Sequence, residues 1–195
     1  LRTHTEGVPV VLAPYDAELF GHWWFEGPIF LESFMRLVAQ YSDQFVLGSG
    51  SDASETCTPQ TSEPSASSWG AGGFYSVWLN ESNQWMYPHL HEAERRMVRA
   101  ASSEPDSEVH RRVLKQMGRE LLLAQSSDWA FIATTGTTVP YAVRRFREHI
   151  SAFLALDEMF YSEEPDLQKL KQLEERHRIF PEIDASVYAR RSNNG

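Results

Sequence analysis

The feature that most constrains this chain is the succession of apolar stripes at helical spacing that fills its second half, separated by short polar or proline-bearing turns. From Tyr87 to Ser102 (YPHLHEAERRMVRAAS) the stripe is Leu90, Ala93, Met97 and Ala100, with Glu94 and Arg95 on the wet side. That period matches the α-helical turn and predicts an amphipathic helix. Pro105 and Asp106 open a second stretch through Ala124, striped by Val109, Val113, Met117 and Leu121. A third runs from Pro140 to Phe160 with Val143, Phe146, Ile150, Phe153 and Leu154, and Thr137 and Thr138 stand where caps belong. A shorter one, from about Pro165 to His177, carries Leu167, Leu170 and Leu173, after which Ile179, Phe180 and Ile183 are expected to lie on the core. Helices joined by short turns pack as an antiparallel bundle. The expected fold is therefore mainly α, with a bundle of about five helices.

The first part of the chain reads differently. Val8 to Ala13 is a short β-branched run of the kind that forms a buried strand, and Pro14 and Tyr15 bias the chain after it toward extended or turn geometry. Asp16 and Glu18 then stand at a strand end, where side chains in α/β barrels converge on a ligand. Gly21 loosens the backbone before His22, Trp23 and Trp24, and Gly27-Pro28 opens a helix expected over Ile29 to Gln44. Leu47 to Ser68 is rich in Ser, Thr, Gly and Pro, and reads as a flexible loop. The expected organisation is a strand and helix from the end of a barrel over 1–46, a polar loop over 47–68 and a helical domain over 69–195.

Composition narrows the function classes. The 195 residues suit one domain, or one plus part of another. A net charge of −9 argues against nucleic acid or an anionic membrane as partner. No apolar run reaches the roughly 18 residues of a membrane span, and the first residues show no signal-peptide pattern. The single cysteine, Cys57, excludes an intramolecular disulfide and fits a reducing cytoplasm. His89 and His91 beside Glu92 and Glu94 lack the i, i+4 histidine pair of a helical zinc motif and read as surface residues, so no metal site is expected. The basic pairs Arg95-Arg96, Arg111-Arg112 and Arg144-Arg145 read as solvated helix faces.

The chemistry is concentrated early. On their own, Trp23, Trp24 and Phe25 read as core aromatics. Asp16, Glu18, His22 and Glu26 around them are a costly density of ionisable groups for a core, since each needs a partner or water. A site that holds sugar hydroxyls and stacks pyranose faces has use for both kinds, which makes His22 and Trp23 substrate-contact candidates. Further along, Trp69 with Gly70, Gly72 and Gly73 has the same logic: glycines let backbone approach a ligand while an aromatic stacks on it. The alternative is a glycine-rich turn with a buried anchor. Trp78 suits a cleft or a core equally. Ser126, Ser127 and Asp128 are all capping residues ahead of an apolar run, so Asp128 reads as a helix cap, a role compatible with binding.

These same segments resemble glycoside hydrolase family 57, and within it the branching-enzyme subgroup. YDAELFGHWWFEGP, from Tyr15 to Pro28, resembles the motif carrying the family's acid/base aspartate, whose position falls on Asp16. SSWGAGGFYSVWLN, from Ser67 to Asn80, resembles the next motif, whose first tryptophan lines the glucan cleft and falls on Trp69. SSDWAFI, from Ser126 to Ile132, resembles a motif of the helical domain that closes the active site, and its substrate-contacting aspartate falls on Asp128. The resemblance runs from about Val8 to about His177, with the motifs in the family's order.

The resemblance implies an enzyme built on a (β/α)7 barrel that cleaves α-1,4 linkages in an α-glucan, holds the chain as a glycosyl-enzyme ester and transfers it to a 6-hydroxyl, as in glycogen-like polysaccharide synthesis. It implies no metal or organic cofactor. Retaining chemistry needs two carboxylates about 5 to 5.5 Å apart. The family's glutamate nucleophile lies upstream of anything matched here, and Glu18 shares its segment with Asp16 and cannot oppose it across a sugar ring. The chain, which starts at Leu1, is thus expected to be the C-terminal part of a longer protein, partnered by its own N-terminal barrel portion and inert alone. A family 57 α-amylase or 4-α-glucanotransferase differs only in acceptor, and a noncatalytic glucan-binding or helical interaction module is the reading from another class.

Overall fold

The computed structural model describes residues 9–58, 61–103 and 105–190. The chain divides into two compact units, Leu1–Ser65 and Ala66–Gly195. Among the described residues all regular structure is helical.

In the first unit an irregular segment leads into a π-turn at Leu19–Trp23 and then helix α1, Gly27–Gln40. Pro28 occupies the first turn of α1, where its missing N–H is not needed. Gly27 is buried because two aromatic rings press on it. A Cβ there would lie 2.9 Å from Phe20 Cδ1 and 3.2 Å from Trp24 Cε3. Those rings belong to a file of Tyr15, Phe20, Trp24, Phe30 and Phe34, with neighbouring centroids 5.0 to 6.1 Å apart, that ties the π-turn to α1.

The strand expected over Val8 to Ala13 does not appear. Val8 lies outside the described residues, and Val11 and Leu12 are 91% and 80% exposed. A strand exists through its hydrogen bonds to a neighbouring strand, and among the described residues no second strand runs beside this segment. Helix α1 also stops short of Gln44, and its apolar residues Ile29, Phe34 and Leu37 are exposed. The polar stretch after it is not all loop. Helix α2, Gly50–Thr56, is held by a capping box in which Ser49 Oγ accepts from Asp52 N (3.2 Å) and Asp52 Oδ2 accepts from Ser49 N (2.7 Å). Residues 59–60 of this stretch lie outside the described residues.

The second unit is a bundle of α3 (Met86–Ala101), α4 (Glu108–Ala124), α5 (Asp128–Thr135), α6 (Val139–Phe160) and α7 (Leu167–Arg176). The expected stripes form its core: Ala93, Met97 and Ala100 from α3, Val113, Met117 and Leu121 from α4, Phe146, Ile150 and Phe153 from α6, and Leu170 from α7 are all buried. Ser107 caps α4 by accepting from His110 N (3.2 Å), and Asp166 caps α7 by accepting from Lys169 N (2.9 Å). Thr138 holds the N-cap position of α6 without a side-chain cap bond. Helix α5 ends on Gly136 in the left-handed region, the usual device for closing a short helix.

Three expectations need correction. Leu167 is 54% exposed, because it opens α7 and only the next turn reaches the core. Ile179 and Phe180 are also exposed. Phe180 precedes Pro181, which disfavours the right-handed helical region, and it takes a φ of 49°. Ala185 and Tyr188, from a 3-10 turn at Ala185–Tyr188, pack on the core instead, and residues 191–195 lie outside the described residues. Finally, Arg96 is no simple surface ion. Its Nη1 donates to the buried carboxylate of Asp157 at 3.0 Å and its Nε to Glu92 at 2.6 Å, tying α3 to α6.

Candidate functional site

Asp16, His22 and Trp23 belong to the first unit, and Trp69, Trp78 and Asp128 to the second. Asp16 is exposed in an irregular segment, and its carbonyl accepts from Leu19 N (3.2 Å) as the π-turn begins. His22 and Trp23 lie within that turn. Trp23 is 77% exposed and Phe25 89%, so neither anchors a core among the described residues, whereas Trp24 is half-buried in the ring file. The sequence offered core or site for these aromatics, and Trp24 has taken the packing role.

Trp69 sits at the head of a tight turn. Gly73 N donates to Gly70 O (3.1 Å) and Ser68 N to Gly73 O (2.7 Å), with Gly70, Gly72 and Gly73 at φ of 140°, 68° and 74°. Side chains other than hydrogen are strained in that region, which is why the turn is glycine-rich. The Trp69 ring is 77% exposed. Trp78 stands behind it: its indole N–H donates to the Trp69 carbonyl, and its ring packs on Phe131 of α5 with centroids 5.9 Å apart. The Tyr87 hydroxyl donates to the Trp78 carbonyl, and burial pushes the Tyr87 phenol up.

Asp128 is the first residue of α5 and is exposed. The N-cap position falls on Ser127, and no side chain caps the helix. Asp128 Oδ2 instead accepts from Ser126 Oγ at 2.6 Å. The carboxylate is therefore not engaged in capping and faces water beside the half-buried Trp129 in sequence.

A second constellation escaped the sequence. Glu120 of α4 is fully buried, and its two oxygens accept from His149 Nδ1 (2.8 Å) and His177 Nδ1 (2.7 Å), with Gln116 Nε2 donating at 2.9 Å. Burial raises the pKa of this carboxyl, but the donors from His149, His177 and Gln116 outweigh it and hold the group below its ordinary value. A glutamate and two histidines this close have the composition of a metal site. The donor set says otherwise. Arg145 Nη2 lies 3.0 Å from His149 Nε2, and a guanidinium has only protons to offer, so Nε2 accepts and the ring proton sits on Nδ1, facing Glu120. The nitrogen a metal would need is already a donor. These residues form a hydrogen-bonded clasp joining α4, α6 and the end of α7. Their separations of 29 and 57 residues gave no local motif to find.

Comparison with known proteins matches this architecture. The family described as 1,4-alpha-glucan branching enzyme, C-terminal, matches residues 89–188, just over half of the chain. A 1,4-alpha-glucan branching enzyme of Thermococcus kodakarensis is 37% identical over 96% of this chain and 29% of its own length. The crystal structure of that family 57 glycoside hydrolase, in complex with glucose and additives, superposes with a TM-score of 0.78 at 36% identity, covering 92% of this chain and 34% of that one. An α-amylase of Thermotoga maritima superposes at a TM-score of 0.70 with 45% identity, over 94% of this chain and 34% of that one. The chain spans under a third of the length of the curated relatives it matches. With all but the first three residues of its bundle inside the matched region, the chain belongs to the family of 1,4-alpha-glucan branching enzyme C-terminal regions.

Proposed function

We propose that this chain supplies the acid/base aspartate and the cleft-closing helical region of an α-glucan branching enzyme acting in glycogen-like polysaccharide synthesis in the cytoplasm. The observation that carries this reading is the membership of the branching-enzyme family together with an exposed Trp69 set on a glycine turn. Asp16 protonates the departing 4-oxygen of an α-1,4 linkage, while a carboxylate from the enzyme's N-terminal barrel portion attacks the anomeric carbon and forms the glycosyl ester. Asp16 then takes the proton from an incoming 6-hydroxyl. Trp69 stacks on a glucose, Asp128 hydrogen-bonds hydroxyls, His22 and Trp23 contact the sugar near the reacting bond, and Trp78 holds the Trp69 backbone. The exposed apolar face of α1 suits a segment that completes a larger barrel. Excluding water from this site favours transfer over hydrolysis.

The test is proton NMR of amylose treated with the full-length enzyme and its Asp16→Asn form. New α-1,6 linkages that vanish in the variant support the reading. The likeness to an α-amylase favours a second one, hydrolysis or 4-α-glucan transfer, in which amylose shortens or redistributes without new branches. If Asp16→Asn abolishes nothing and the protein only binds glucan, the region is a noncatalytic binding module.

A further inference from the structure

The turn that carries Trp69 and Trp78 and the helix that starts at Asp128 are separate segments, yet they meet at one buried side chain. Asn83 is fully buried between the turn and the start of α3. Its Nδ2 donates to Val77 O (3.1 Å) on the turn and to Thr134 Oγ1 (3.0 Å) on α5, with Ala130 O at 3.4 Å. Its Oδ1 accepts from Asn80 N (2.8 Å). Thr134 closes the knot: its hydroxyl donates to Val77 O (2.7 Å) and also accepts from Asn80 Nδ2 (2.8 Å). Asn80 Nδ2 reaches Ser76 O at 2.8 Å as well, and Asn80 Oδ1 accepts from Ser82 N at 2.9 Å.

We infer that Asn83 and Thr134 are positioning residues that lock the Trp69–Trp78 turn to α5 and so fix the Trp69 ring and the Asp128 carboxylate in one register for a glucan chain. The inference rests on the glucan-binding reading of Trp69 and Asp128. The network's hub is buried although Thr134 itself is exposed, so a slip leaves the Asn83 amide among acceptors it no longer reaches and without water to replace them. The arms cross between the two segments or pin the turn to itself, apart from the Thr134 hydroxyl's reach back to Ala130 O at 3.0 Å within α5. Hydrophobic contact alone would not set the register: Trp78 on Phe131 is a tilted ring pair that tolerates sliding. Two contact groups on independent supports grip a substrate weakly, and a displacement of about 1 Å is enough to matter.

The experiment uses the full-length enzyme with Thr134→Val, Thr134→Ser and Asn83→Asp, each measured for amylose KM and kcat, for the ratio of transfer to hydrolysis, and for thermal unfolding. Thr134→Val keeps the shape and removes the hydroxyl, so roughly a five- to tenfold rise in KM is expected, larger than any change in kcat. The ratio of transfer to hydrolysis should fall, and Thr134→Ser should restore both. Asn83→Asp sets a carboxylate oxygen against the Val77 and Ala130 carbonyls and should act the same way more strongly; if it fails to fold, the threonine pair decides. Trp69→Ala is the separate control. A raised KM there, with Thr134→Val at wild-type KM and transfer ratio, overturns the positioning role alone. An unchanged KM in Trp69→Ala overturns the glucan-binding reading itself. A Thr134→Val loss of melting temperature with no kinetic change would make the knot structural only and also sink the inference.

Discussion

Replacing Glu120 by alanine tests the clasp most directly. The carboxylate is fully buried and accepts from His149 Nδ1, His177 Nδ1 and Gln116 Nε2 at 2.7 to 2.9 Å. Truncation leaves the two histidine donors without an acceptor, each costing about 1–3 kcal/mol, while Gln116 Nε2 keeps Leu173 O at 3.3 Å. The members share one network, so the costs do not add fully, and about 2–5 kcal/mol is the expected loss. That is a large part of the roughly 5–15 kcal/mol that holds a domain together. At about 3–5 °C per kcal/mol for a unit of this size, the melting temperature should fall by about 6–25 °C. Thermal unfolding followed by far-UV circular dichroism reads this out. His177→Leu should cost much less, because it removes one donor together with Nε2, which is buried without a partner. Refutation would come from Glu120→Ala melting within about 3 °C of the parent, or from His177→Leu costing as much as Glu120→Ala; either means the carboxylate is not the hub.

The same clasp gives two further expectations. Because the folded-state pKa of Glu120 is depressed, its contribution is fully present above the unfolded value near pH 4.3 and is lost as pH falls through the lower folded value. Urea unfolding between pH 3 and 5 should therefore show a steeper loss of stability in the parent chain than in Glu120→Gln, and equal slopes would contradict the depressed pKa. Zinc at micromolar concentration should leave the melting temperature unmoved, whereas a bound ion at a hundredfold its dissociation constant would add about 2.7 kcal/mol. In the core, Phe153→Ala should cost about 3–5 kcal/mol by calorimetry, since this ring is fully buried. In the first unit, Gly27→Ala should disturb the ring file through its contact with Phe20, seen as a changed tryptophan emission; an unaltered spectrum would mean that the rings yield freely.

Whether a feature can be read from the sequence depends on whether it is local. Helices α3, α4 and α6 announce themselves because one face repeats its burial every turn, and that face is the core that forms: Met97, Met117 and Phe146 meet as their spacing requires. The glycine turn under Trp69 is equally local, since three glycines in five residues leave few other conformations. Features that depend on a partner are another matter. Val11 and Leu12 have strand-like side chains, but ladder hydrogen bonds need a neighbour that the composition of six residues cannot name. Helix α2 hides in a polar stretch because its cap, Ser49 with Asp52, signals a helix while its apolar content signals a loop; the cap decides once both hydrogen bonds close. Asn83 stands in a turn, and nothing near it in sequence reveals that Thr134, 51 residues away on α5, accepts its proton. Glu120 reads as one more charge on α4, although it lies on the face that meets α6, three residues beyond the buried Met117. A charge on a buried face is a question rather than noise. The only physically acceptable answers are donors from elsewhere in the chain, and His149, buried on the α6 face between Phe146 and Phe153, and His177, at the end of α7, are the groups able to give them.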